Sequence, residues 1–263
     1  MFKRELKVNL KSFLIWLIIL IGLFLVVFLI YPSIINSENI KMIDEMMEMF
    51  PTELLKAFNM DITTIDSAYG WLKTEGFVFI LLIIGCYASI LGSSILLKEE
   101  NDKTIEYLNS LPITRNKIII NKVLVGLIYI ILMVLILGIF NFVCLSLSGD
   151  FNKKEYILLS ITPLFSSITI YFISMFIATF TNKQKKMIGI SLGIVFISYI
   201  LNTLSTLSSN VEFLKYFSIF TLADIRNVIT NNVINPIIII VSIIISLIFL
   251  ILTIVKYNKK ELV

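Results

Sequence analysis

The sequence predicts an all-α polytopic membrane protein: one transmembrane domain over residues 1–263, with six transmembrane helices and both termini cytoplasmic. Three observations lead there. Hydrophobic residues make up 58% of the chain and charged ones 15%, short of the roughly one quarter charged residues of a water-soluble domain. Six nearly uncharged runs are long enough to supply the roughly 20 helical residues that cross a hydrocarbon layer about 30 Å thick. Basic residues are segregated between alternate loops. Continuous apolar runs exclude the alternating pattern of a β-barrel, and the other way to pair every backbone group in lipid is the helix.

The spans fall near Phe13–Tyr31, Gly76–Leu97, Val123–Leu145, Tyr156–Phe180, Met187–Leu207 and Pro236–Val255. Ahead of the first, residues 1–12 place Phe2, Leu6 and Leu10 on one helical face, continued by Phe13, with Lys3, Lys7 and Lys11 beside it. That split predicts an amphipathic interfacial helix whose lysines reach toward lipid headgroups; the same lysines would also orient the first span. The apolar core of that span is too long for a signal-peptide h-region, and Tyr31-Pro32-Ser33 offers no small-x-small cleavage site, so a retained anchor is expected.

The outer loop, 32–75, carries an apolar stripe of Ile43, Met46, Met47, Phe50, Leu54 and Phe58 around Pro51. Proline suits a first helical turn, so two short helices are expected there. The second span places Gly85, Ser89 and Gly92 on one face, and the fifth carries Gly189 and Gly193 four apart, a spacing that lets helix backbones approach closely in lipid. Ser191, Ser198, Asn202 and Ser205 form a polar strip on the fifth span, and Ser160, Ser167, Tyr171 and Ser174 one on the fourth. Hydroxyls and amides face protein or water, not lipid. These strips therefore mark inward faces, whether they line a path or hold the bundle together.

The block 98–122 is a charged segment between two apolar runs. Lys98 to Asn109 contains no Pro or Gly, Glu99 precedes Lys103 by four, and Ile105 and Leu108 share a flank. This predicts a helix leaving the second span, ended by Pro112 and resumed after a Thr114 cap. Such an elbow would present Ile105, Leu108 and Leu111 beyond the headgroups, where a soluble partner could grip it. The 208–235 loop is apolar enough for a short outer, re-entrant helix; Ser209 and Glu212 have capping-box spacing, and Asp224, Arg226 and Asn227 would sit near the outer mouth.

Charge sets the orientation. The amino terminus, the elbow, the loop with Lys183, Lys185 and Lys186, and the tail with Lys256, Lys259 and Lys260 hold 15 of the 22 basic residues and six of the 18 acidic ones. The balance is +9 on that side and −5 on the other, and the positive side faces the cytoplasm. Overall basicity is therefore a topology signal, and no nucleic-acid partner is expected. No charge lies in the middle of a predicted span, which argues against a proton-coupled carrier. With no His, the chain lacks the means for a metalloprotease or Ser-His protease, and no mid-span Asp serves an aspartyl one. Cys86 and Cys144 lie in spans and are expected to be reduced and buried, and no metal site is expected.

The elbow resembles that of the permease subunits of ABC-2 type ATP-binding cassette transporters, in the six-span branch without a fused ATPase. The matching residues are Glu99 and Glu100, then Thr104, Glu106, Leu108, Leu111, Pro112-Ile113-Thr114-Arg115 and Lys122; Lys103 stands where the family usually has Gly. Phe50 to Asp61, Tyr69-Gly70-Trp71-Leu72, the amino-terminal FKRELK and the carboxy-terminal YNKKEL extend the likeness over the whole length. The resemblance implies an ABC-2 type transmembrane fold and a separate soluble ATPase partner. It also implies a second permease copy or a homologous permease, lipid surroundings, and the cell membrane of a bacterium. Glu99, Glu100, Thr104, Ile105, Glu106, Leu108, Pro112 and Arg115 would form the ATPase-coupling surface. The family's cavity lies between the second and fifth spans, which points to Ser89, Ser198 and Asn202; Gly85, Gly92, Gly189 and Gly193 are helix-contact candidates. The chain has no GxxxxGK loop, so no nucleotide cofactor is expected on it, and ATP with Mg would sit on the ATPase. An ATP-independent channel or carrier, or a membrane anchor or immunity protein that binds a soluble partner, would share the same composition.

Overall fold

In the computed structural model, residues 1–34, 49, 67–105 and 112–260 are described. All regular structure among them is helical, and six helices are long and apolar enough to cross a membrane. The proposed helices around Pro51 lie outside the described residues.

α1 is one unbroken helix, Phe2–Ile34. The amino-terminal segment is thus not a separate interfacial helix: it is continuous with the span, and its buried positions Glu5 and Asn9 lead into the apolar stripe Phe13, Leu17, Leu20 and Phe24. This stripe, at helical spacing, lies mainly against the third span. α2, Ala68–Asn101, begins earlier than the hydropathy suggests. Ser67 caps it by accepting from the Gly70 amide at 3.0 Å, and a wider π-type turn occupies Leu72–Gly76. Lys73 and Glu75 therefore lie inside the helix, and Lys73 pairs with Glu155 at 2.8 Å. α3, Arg115–Ser148, starts at the expected Thr114 cap and stops at Gly149, whose φ of +149° favours glycine.

The fourth span is not one helix. α4, Lys153–Ile161, and α5, Pro163–Ala178, meet at Thr162, because Pro163 has no amide hydrogen to continue the ladder. α6 is Gln184–Leu204. The following segment folds as 3-10 turns, Ser209–Phe217 and Ile219–Ala223, then α7, Ile225–Asn231. Ser208 caps its start, and Glu212 meets Lys215 at 2.6 Å. α8, Pro236–Lys259, has Asn235 as cap and Pro236 in its first turn.

α2 is the most enclosed span and packs chiefly on α5 and α6, with α5 also contacting α8. α6 and α8 leave large apolar side chains such as Ile197, Ile200, Ile237 and Ile251 exposed, as lipid-facing surfaces do. Both termini, the elbow and the Thr181 loop meet at one end of the bundle, here called the basic end.

Candidate functional site

At the basic end α2 stops three residues before the elbow turns. The amides of Asp102, Lys103 and Thr104 bond the carbonyls of Lys98, Glu100 and Glu99 at 2.8, 3.4 and 2.8 Å, and Lys103 has φ +54°. This is a Schellman-type ending with a lysine in the left-handed position that glycine normally occupies. The expected continuous helix to Asn109 is therefore broken at Lys103, ahead of Pro112. Lys103 takes up the backbone conformation that glycine would supply, so the substitution leaves the break in place.

The sequence-selected coupling residues divide into two groups. Glu99 is 4% exposed and its carboxylate lies 2.8 Å from Lys122 Nζ. Lys122, fully buried, also reaches Glu5 at 3.5 Å and donates to the Ile95 carbonyl. Arg4 stands 4.0 Å from the other Glu99 oxygen. Both Glu100 oxygens lie 2.9 Å from Lys260 Nζ, which also donates to the Thr181 carbonyl at 3.1 Å. Both carboxylates turn inward, toward ammonium groups of α3 and the carboxy-terminal segment that compensate them.

Arg115 donates to the carbonyls of Tyr257, Asn258 and Lys260 at 3.4, 3.0 and 2.9 Å. It caps the end of α8, where unpaired carbonyls favour a cation, and does not reach outward for a carboxylate. Ile105 is buried with Ile118, against Met1 and Ile113. Thr104 is half-buried, and Pro112 is exposed. Glu106 and Leu108 lie outside the described residues. The outward face of the elbow, among the described residues, is Asn101, Asp102, Lys103, Pro112 and Thr114.

Within the bundle, Gly85 and Gly92 are contact positions, as their spacing suggested. A Cβ on Gly85 would come within 3.1 Å of the Phe220 ring and 3.3 Å of Ile170, and one on Gly92 would collide with the Tyr171 carbonyl. Gly189 and Gly193 have nothing within 4 Å of a Cβ among the described residues. The buried Ser89 hydroxyl has no partner among the described residues, and Ser93 bonds Ser191 at 2.7 Å across α2 and α6. Ser198 accepts from the Ile219 amide at 2.7 Å, and Asn202 accepts from Thr221 at 3.4 Å. These two residues fasten the 3-10 segment to α6.

Sequence reading passed over Lys122 as the hub, its partner Glu5, and Gly126, where a Cβ would overlap the Tyr171 ring. Tyr171 in turn donates to the Lys122 carbonyl at 3.2 Å, and Tyr129 to the Leu6 carbonyl. One signal was present: Lys122 and Gly126 are four apart on one face of α3, and Glu5 is the single acid in a basic segment.

The bundle thus has six spans long and apolar enough to cross a membrane, with a knot of buried ion pairs at its basic end. The family profile described as ABC-2 family transporter protein matches residues 1–262. The chain belongs to that family and is a multi-pass membrane protein with a transport permease role. No curated protein and no solved structure matches it significantly.

Proposed function

We propose that this chain is the membrane subunit of an ATP-driven exporter in a bacterial plasma membrane, working with a separate ATP-binding cassette ATPase. The observation that supports this reading best is the anchoring of the elbow. Its flanks are tied by buried ion pairs to α1, α3 and the end of α8, so a push on the elbow moves several spans together. Family membership points to the ATPase, because such permeases generally work with one.

In this reading the eight coupling residues have two jobs. Glu106, Leu108 and Pro112, with the exposed Asp102 and Lys103, meet the ATPase. Glu99, Glu100, Ile105 and Arg115 form the inner anchor that passes the load on, with Thr104 between them. Lys122 and Glu5 complete the anchor. A second permease copy would pack on the open α6 face that carries Gly189 and Gly193.

The test is co-purification with a candidate ATP-binding cassette ATPase from the same cell. Leu108→Asp is expected to release it while the permease stays folded. Glu99→Gln is expected to keep the ATPase bound but weaken the permease's effect on ATP turnover. Full binding by Leu108→Asp, or an unaltered turnover response in Glu99→Gln, rejects this division of labour.

A further inference from the structure

A small cavity lies among α2, α3 and the break between α4 and α5. Its polar lining is Gly138 and Asn141 of α3 and Tyr156 and Ser160 of α4, with Pro163 at the break and apolar walls from α2. The space open to the centre of a water-sized sphere is about 10 Å³, the lower bound for holding one water molecule. Asn141 is 1% exposed, and its side-chain oxygen has no hydrogen-bond partner among the described residues.

The neighbouring hydroxyls have already committed their protons. Tyr156 donates to the Gly138 carbonyl at 2.6 Å, and Ser160 to the Ile157 carbonyl at 2.8 Å. Asn141 Oδ1, Tyr156 Oη and Ser160 Oγ therefore offer lone pairs, and the occupant must donate hydrogen. A lipid headgroup is too large for this volume. The lining contains no carboxylate, so a metal ion would meet only neutral oxygens.

We propose that the cavity is a binding site for a single water molecule, which donates one hydrogen to Asn141 Oδ1 and the other to Ser160 Oγ. Gly138 lies between these two residues: a Cβ on it would sit 3.5 Å from the Ser160 Cβ. The water joins α3 to the fourth span at the level where Thr162 and Pro163 interrupt that span. Water inserted at a helix break is an established way to satisfy groups freed there. The third and fourth spans are then linked at this point by an exchangeable bridge beside the direct Tyr156–Gly138 hydrogen bond.

Hydroxyl-radical footprinting of the full chain in lipid nanodiscs reports bound water, because radicals form from it and label the adjacent ring. Tyr156 should be labelled in the native protein. That labelling should be lost in Asn141→Leu and reduced in Ser160→Ala, while Phe24, buried in an apolar contact, stays unlabelled throughout. If Asn141→Leu does not fold, Ser160→Ala carries the test alone. An unlabelled native Tyr156, or unchanged labelling in the folded variants, overturns the proposal. So does an Asn141→Leu protein that unfolds at a higher temperature than the native one, the result for a dry cavity whose unpaired amide has been removed.

Discussion

The two ends of the bundle treat charge differently. At the basic end, Lys122, Glu99, Glu5, Glu100 and Lys260 are almost wholly enclosed, and each ion pair joins segments far apart in sequence. At the outer end there is one largely enclosed pair, Lys73 with Glu155 at 2.8 Å, while Glu212 and Lys215 pair within one 3-10 turn, in water, and the rest of that loop is held by hydroxyls, amides and caps. Asp224, for example, sits at φ +51° and accepts from Asn227 and from the Asn235 amide at 3.1 and 3.0 Å. A buried pair that loses one member leaves an uncompensated charge, whereas an exposed pair contributes little. The basic end is therefore built so that its parts cannot separate cheaply, as the proposed coupling role would require.

Substitutions can break this contrast. Lys122→Met is expected to have the largest effect, a loss of about 3–5 kcal/mol, since it leaves two carboxylates around an apolar side chain. Thermal unfolding in detergent measures it, and a melting temperature equal to the native one would remove the knot from the account. Gly126→Val comes next: the added side chain meets the Tyr171 ring, an overpacking of about 1–3 kcal/mol. Gly189→Val, at an open position, should be neutral in the monomer, and a loss confined to the assembled form would locate the second copy on α6.

Lys103→Gly should stabilise the elbow by about 1 kcal/mol, because a left-handed lysine costs roughly that much and glycine does not. Glu212→Gln should leave the melting temperature unchanged. The hydrogen bond from Lys215 holds the Glu212 carboxyl below its ordinary range, so what stability the pair contributes is present above that range. It is lost as pH falls through the lowered value. A melting-temperature scan that showed a large acid-side loss abolished by Glu212→Gln would contradict the contrast between the ends.

Much of the fold was legible because its signals are local. Six apolar runs became six spans, Thr114 and Pro236 marked helix starts, and Gly85 and Gly92 proved to be close contacts. The errors have a common cause. Hydropathy cannot see that Lys73 is neutralised by Glu155 and tolerated inside α2, nor that Phe2 and Phe13 belong to one continuous helix. The candidate site fared similarly: its location was readable, but a charged elbow looks solvent-facing until the partners of its charges are known. Glu99 and Lys122 are 23 residues apart, and Glu100 and Lys260 are 160 apart.

The sequence by itself determined what each segment must do in a bilayer: which stretches are apolar enough to span, which loops carry the positive excess, and that the chain belongs among membrane permeases. Only the tertiary structure decided which charges are spent inward and which remain for a partner. A transfer free energy belongs to a residue type and can be read along the chain. The pairing of a buried ion depends on which distant group the packed helices bring within reach.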